Sequence, residues 1–214
     1  MILLVQPLLQ VSRLSCFTVF FGIFLDTTVS LKSTLEIIKQ NPTLYFQGLK
    51  ANYFNLLFLS PLYYVAAYNL LLNKMSSEFS FFKYVGLTLI HGVGYYQIHK
   101  LMHVNPKMRW IHDFHHKFVI TTPTSGNAVS AYEFQLAYVL PFLVGALILQ
   151  PSNLDFEYCI LTISFLNLFI HTKELEYLKM PSFLVSPNDH IKHHKTKSDT
   201  YAAPLINFDN ILSR

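Results

Sequence analysis

The sequence predicts an all-α integral membrane bundle of about four transmembrane helices, preceded by an apolar N-terminal anchor and carrying a histidine-rich helical cap. Three observations predict it. Of the 214 residues, 52% are hydrophobic and only 13% are charged, against about 25% charged in ordinary soluble domains. Uncharged apolar runs recur at 51–72, 134–150 and 158–170; helices of roughly 20 such residues cross a bilayer. Eight of the ten histidines fall into three clusters at helical spacing, each beside an apolar segment. The 19 Phe and 13 Tyr suit helices that meet a membrane interface. A net charge of +4, with no basic run interleaved with stacking aromatics, excludes nucleic-acid binding. Cys16 and Cys159 lie in apolar stretches and give neither a disulfide framework nor a zinc pattern.

The elements follow in order along a single membrane domain, 1–214. Residues 1–50 form an N-terminal anchor and a polar segment. The anchor is interrupted by Arg13, and the run from Leu14 to Leu25 is short for a span. No small-residue cleavage pattern follows it, so a retained anchor is expected rather than a signal peptide. A helix from about Ser30 to Gln40 should stop at Asn41-Pro42. LYFQG at 44–48 resembles part of an engineered protease site but lacks its flanks, and reads as coincidence. Residues 51–98 form a first hairpin, with 51–72 the clearest span and 81–98 running on into His99. Residues 99–133 carry two histidine clusters and then turn formers, among them Pro123, Gly126 and Asn127. Residues 134–171 form a second hairpin around Pro151-Ser152-Asn153, and 172–214 a polar C-terminal segment with the last cluster. No internal repeat stands out.

Loop charge orients these elements. Segments 26–50, 99–133 and 171–214 together hold 13 of the 16 Lys and Arg. The positive-inside rule places them, and every histidine cluster, on the cytosolic side. Trp110 suits an interface anchor.

The clusters point to metal. His99 and His103 are i and i+4; His112, His115 and His116, and again His190, His193 and His194, read HxxHH. On a helix each set shares one face. Imidazole suits iron, zinc, copper and nickel, and eight imidazoles suit more than one ion. His171, at the cytosolic end of the last span, is a ninth candidate. His91 lies about 12 Å deeper along the same helix as His99 and is expected to line a pocket or to pack. Metal-bound imidazoles usually donate their second N–H to a carboxylate or carbonyl; Asp113, Glu133, Glu174, Asp189 and Asp209 are candidates. Tyr95, Tyr96 and His91 are expected at the substrate pocket.

Several features together resemble the fatty acid hydroxylase/sterol desaturase superfamily of membrane-bound di-iron oxygenases. Tyr95-Tyr96 precede HKLMH, the eight residues VNPKMRWI separate His103 from His112, and Glu133 opens the second hairpin. FIHT ends the last span, SPNDHIKHH is close to the family's final box, and Tyr201 and Asp209 echo a later family pattern. The match covers roughly residues 85–210. Ala202 stands where Gly is usual, Gly92 where many members are acidic, and Asp113 where a basic residue is more usual. The resemblance implies a four-helix core under a cytosolic cap. It implies two Fe ions, O2 as co-substrate, and electrons from cytochrome b5 or a similar carrier. It implies metal ligation by His99, His103, His112, His115, His116, His171, His190, His193 and His194, and it ranks Asp189 and Asp209 first among the supporting carboxylates. It places the chain in the endoplasmic reticulum membrane and makes the reaction the oxidation of an unactivated lipid C–H bond. Hydroxylation and desaturation, on sterol, fatty-acyl or related lipids, stay open. A soluble-type di-iron bundle would show Glu-x-x-His pairs and a zinc protease HExxH; neither occurs. The rival of another class is a non-catalytic membrane protein that stores or transports zinc or copper. Transport favours ionisable residues along the spans, whereas these ligands gather at one membrane face.

Overall fold

A computed structural model describes residues 2–198 and 200–212; Asp199 and the ends of the 1–214 span, including the counted cation Arg214, lie outside them. Among the described residues every regular element is a helix, joined by turns and irregular segments, with one isolated antiparallel bridge between Leu184 and Ile206.

The N-terminal run is one helix, α1 (Ile2–Thr27). It is longer than the apolar stretch after Arg13 because Arg13 sits on an exposed face and does not break it. Helix α2 (Leu31–Gln40) ends where expected. The stop is also a start: the Asn41 side chain accepts from Leu44 N–H at 3.0 Å and Pro42 occupies the first turn of α3 (Pro42–Tyr53). Asn is a strong N-cap and Pro is pre-organised for that turn. The LYFQG string is thus a helical turn, with Leu44, Tyr45 and Gly48 buried. At Gly48 a Cβ would lie 2.6 Å from the Phe118 ring, so only Gly allows this approach.

Helix α3 passes through a π-turn (Phe54–Leu59) into α4 (Ser60–Leu70). The span expected at 51–72 therefore begins nine residues earlier. Helix α5 (Phe81–Val104) follows and does carry His99 and His103 beyond the apolar run. A short α6 (Arg109–His112) and a 3₁₀ turn (His115–Lys117) present the middle cluster. Helix α7 (Ala131–Glu133), capped by Ser130, continues through a second π-turn (Phe134–Val139) into α8 (Leu140–Leu149). Helix α9 (Asn153–Ile170) starts with a Ser152/Asp155 capping box. Helices α10 (Pro187–Thr196) and α11 (Phe208–Leu212) complete the cap.

Three helical stretches are long and apolar enough to cross a membrane: Val5–Thr27, Ala131–Leu149 and Asn153–Ile170. The 51–72 segment and α5 fall short of that apolarity. Asn52, Asn55, Tyr63, Tyr64 and Asn69 dilute the first, and Lys83, His91 and Gln97 the second. Several of these polar groups turn inward, with Tyr64 3% exposed, Asn55 1% and His91 0%, whereas Gln97 is exposed.

α5 packs against α8 and α9, and α1 against α4 and α9. The turn-forming segment 121–129, which contains a 3₁₀ turn (Pro123–Asn127), is buried at every position between α1, α3 and α9. A buried irregular strap must have its carbonyls satisfied. Asn52 Nδ2 donates to Thr124 O (2.7 Å), Asn55 Nδ2 to Val129 O (2.9 Å), and both Tyr138 Oη (3.1 Å) and Asn167 Nδ2 (2.9 Å) to Gly126 O.

Candidate metal centre

All nine histidines meet under the cap, and they sort into two groups. His99, His103, His112, His116 and His193 bring five ring nitrogens within 4.8 Å of one another; His115, His171, His190 and His194 bring four. The HxxxH spacing sets His99 and His103 one turn apart on α5. The middle cluster behaves differently from a single helix face. The chain changes from α6 to a 3₁₀ turn between His112 and His115, so His112 and His116 join one group and His115 the other. α10 splits its own cluster likewise, His193 to the first group and His190 and His194 to the second. Eight of the nine are buried.

Contacts between rings fix the geometry. His99 Nε2 lies 2.8 Å from His112 Nε2 and 3.2 Å from His103 Nε2, and His116 Nε2 lies 3.1 Å from His103 Nε2. In the second group His171 Nε2 is 3.3 Å from His115 Nε2 and 2.9 Å from His190 Nε2. Two nitrogens bound at about 2.1 Å to one ion stand about 3.0 Å apart at right angles and about 3.4 Å apart at the tetrahedral angle.

The far nitrogens decide the tautomers. His99 Nδ1 donates to the Tyr201 carbonyl (2.7 Å), His171 Nδ1 to the Asn167 carbonyl (2.7 Å), and His112 Nδ1 to Glu133 Oε1 (2.6 Å). A carbonyl can only accept, so His99 and His171 keep their proton on Nδ1 and present a lone pair from Nε2. With Glu133 accepting from His112 as well, the 2.8 Å contact between His99 and His112 sets lone pair against lone pair. A cation between them makes that favourable; the metal-free alternative is a neutral Glu133 that donates to His112 Nδ1 and leaves an Nε2–H for His99. A proton is a poor choice, because burial holds His112 well below the usual histidine range. His115, His190 and His194 are held down by the same cause, and His171 falls to about 4. Both ring nitrogens of His194 are buried without a hydrogen-bond partner, a costly state that a metal ion relieves at the nitrogen it binds. The donor set therefore fits two metal ions, one per group.

The expected supporting carboxylates divide. Glu133, fully buried, bonds His112. Asp209 acts at one remove: it accepts from Ala202 N–H at 2.8 Å and so braces the turn that presents the Tyr201 carbonyl to His99. Asp189 does not reach an imidazole; it closes the capping box of α10, accepting from Ser186 Oγ at 2.8 Å. The reason is positional, since the third residue of a helix faces back to its N-cap. Asp113 is exposed at the polar mouth beside His103, Arg109, His116 and Lys197. Glu174 accepts from Ser30 and Ser33 and ties α2 to the end of α9.

A small, mostly apolar cavity of about 80 Å³ opens between the two π-turn helices and α9, bounded by Leu56, Tyr63, Tyr138, Phe142, Ile163 and Asn167 among others. Of the three residues expected to line such a pocket, His91 and Tyr95 stand one layer behind it and Tyr96 lies away from it. His91 packs against Phe142 (ring centroids 4.1 Å), Tyr95 edge-on to Tyr138 (5.3 Å), and Tyr96 faces Phe208 on the other side of α5. Tyr138 and Asn167 are the links that sequence reasoning missed. Each lines the cavity, each bonds Gly126 O, and the Asn167 carbonyl holds His171. One signal was present: Asn167 is a lone amide in an apolar run, one helical turn before a histidine.

The chain matches no curated protein and no solved structure. Residues 84–213, more than half of the chain and the part that holds all nine clustered histidines, match the model of the fatty acid hydroxylase family. With apolar helices of spanning length beneath a histidine-lined centre, the chain belongs to the fatty acid hydroxylase family, an integral membrane oxidoreductase of the fatty acid hydroxylase/sterol desaturase superfamily.

Proposed function

We propose that the protein is a membrane-bound di-iron oxygenase that hydroxylates or desaturates a C–H bond of a sterol or fatty-acyl type lipid. It draws electrons from cytochrome b5 or a similar carrier, and its histidine cap faces the cytosol at the endoplasmic reticulum. The observation that carries this reading is the pairing of a five- and a four-imidazole set with an apolar cavity lined by Asn167, whose carbonyl holds His171.

Nine imidazoles over two ions give five and four ligands, which leaves positions free on six-coordinate metal, unlike a closed structural site. His99, His103, His112, His116 and His193 would hold one ion and His115, His171, His190 and His194 the other. Bound iron supplies what no side chain can, an oxidant made from O2 and electrons that is strong enough for an unactivated C–H bond.

The chain's own residues do the rest. Glu133 and the carbonyls of Tyr201 and Asn167 hold the Nδ1 protons of His112, His99 and His171 and so aim the Nε2 lone pairs. The cavity walls (Leu56, Phe142, Phe156, Ile160 and Ile163) accept an apolar chain and exclude water. The polar mouth at His103, Arg109, Asp113 and Lys197 gives O2, protons and electrons a route separate from the lipid's. Metal analysis of detergent-purified protein beside a His115→Ala/His193→Ala variant tests the reading. About two irons per chain, lost in the variant, with O2 uptake on reduction, is the expected result. Stoichiometric zinc or copper under iron-replete anaerobic preparation, with no O2 uptake, would sink it. Lipid profiles of cells expressing each form then identify the substrate.

A further inference from the structure

Asp26 sits in the last turn of α1, 0% exposed, outside the segment that matches the family. A buried carboxyl group at the end of an apolar helix calls for a partner and a purpose. Its partners are all on the strap or on α3. Oδ1 accepts from Thr124 N–H at 3.0 Å; Oδ2 accepts from Thr124 Oγ1 at 2.5 Å, Tyr45 Oη at 3.2 Å and Thr122 Oγ1 at 3.5 Å.

The strap leads directly to the four-histidine group. Two residues after Thr124, Gly126 lies so close to His171 that a Cβ there would stand 2.8 Å from His171 Nδ1 and 3.1 Å from Asn167 Nδ2. Asn167 Nδ2 donates to Gly126 O at 2.9 Å and to Asn127 Oδ1 at 3.0 Å, while its carbonyl accepts the His171 Nδ1 proton. The orientation of His171 therefore depends on Asn167, Asn167 on the strap, and the strap on Asp26.

We infer that Asp26 is a positioning residue of the four-histidine metal site, and that α1 completes this site rather than only anchoring the chain. The inference rests on the two-metal reading above. It separates the two sites: the clamp meets the ligands of the four-histidine group, whereas the five-histidine group is braced by Glu133 and the Tyr201 carbonyl.

The test is graded chelator extraction of iron-loaded, detergent-purified protein, read as metal per chain, for wild type, Asp26→Ala, Asp26→Asn and Thr124→Val. Outer-shell partners of metal ligands typically change affinity 10–100-fold, and Asp26 stands one step further out. In Asp26→Ala one of the two ions should leave at about tenfold lower chelator, with smaller shifts in Asp26→Asn and Thr124→Val. The thermal midpoint of the metal-free form should fall in Asp26→Ala, which leaves the buried donors of Thr122, Thr124 and Tyr45 without their acceptor, but a general loss of stability would weaken both ions alike, so the difference between the two ions is the readout. In a His171→Ala background, where that ion is already lost, Asp26→Ala should have no further effect. Equal weakening of both ions, no weakening of either, or a further loss in the His171→Ala background overturns the assignment of Asp26 while the two-metal reading stands. If Asp26→Ala does not fold, Thr124→Val decides on the same criteria. Wild-type protein that holds fewer than two ions overturns both.

Discussion

Glu133→Ala should weaken the five-histidine ion by roughly 30-fold and leave the four-histidine ion in place. Glu133 is fully buried and its Oε1 takes the His112 Nδ1 proton at 2.6 Å. Truncation leaves that N–H buried without an acceptor. A hydrogen bond to a charged group contributes about 1.5–3 kcal/mol, and loss of an outer-shell partner weakens metal binding about 10–100-fold, or roughly 1.4–2.7 kcal/mol. The two estimates meet near 2 kcal/mol. His112 also loses what fixes its tautomer, so its Nε2 no longer presents a lone pair toward His99 in every molecule. Glu133→Gln keeps an acceptor at Oε1 without the charge, and should fall between Ala and wild type. Chelator extraction of iron-loaded protein reads the effect directly. Curves that overlay wild type, or prior loss of the ion coordinated by His171, would refute the reasoning that Glu133 serves the His99/His112 site.

Other outcomes follow from the same geometry. Gly126→Ala places a Cβ 2.8 Å from His171 Nδ1; overpacking costs about 1–3 kcal/mol, so the four-histidine ion should be held at least about fivefold more weakly in the same extraction. Ser164→Phe projects a ring into the cavity one turn before Asn167, and should cut product formation at least tenfold at unchanged metal content; equal loss of metal would mean that the cavity is not separable from the centre. Gly48→Ala forces a Cβ to 2.6 Å from Phe118, and should lower the detergent thermal midpoint by an amount equivalent to about 1–3 kcal/mol. The metal-free protein should lose stability as pH falls. His171 titrates at about 4 when folded, against about 6.5 unfolded, so the unfolded chain binds the extra proton first. Stability is full above pH 6.5 and falls through the window from 6.5 to 4, by about 1.4 kcal/mol per pH unit for each histidine so displaced. A thermal midpoint that stays flat or rises from pH 6.5 to 5 would contradict it.

The histidine centre was legible because its information is local. Spacings of three and four residues put imidazoles on common helix faces, and apolar runs put those faces at one end of the bundle. The division into groups was not legible, since it depends on where α6 gives way to a 3₁₀ turn between His112 and His115. Asp189 shows the limit of ranking by pattern: three residues after Ser186 it answers the helix start, and this nearer demand uses it up. Asp26 and the strap were invisible for the opposite reason. Their partners lie about a hundred residues away in the chain, and the turn formers at 123–127 read as surface loop until their burial is known. Gly92 has a packing reason. A Cβ there would meet the Phe208 ring at 3.3 Å, so the small residue lets α11 dock on α5 and lets Asp209 reach Ala202.

The two π-turns also expose a repetition the sequence did not advertise. Phe54-Asn-Leu-Leu-Phe-Leu-Ser-Pro61 and Phe134-Gln-Leu-Ala-Tyr-Val-Leu-Pro141 align position for position. Each proline lacks an N–H, and its ring would crowd the carbonyl four residues back in a regular α-helix. Both helices respond identically: Ser60 N–H bonds Asn55 O and Leu140 N–H bonds Gln135 O, each five residues back. The extra residue widens each helix on the side that faces the cavity, where Leu56 and Ser60 meet Phe134, Tyr138 and Val139. Tyr63 closes the space between them by donating to Gln135 Oε1 at 2.6 Å. If this bond bars lateral entry of lipid, Tyr63→Phe should raise the rate of uptake of a fluorescent fatty acid from detergent micelles severalfold at constant metal content. An unchanged rate would assign the bond to packing alone. The same two prolines that keep these segments from being regular helices thus stand beside the cavity next to the histidine centre.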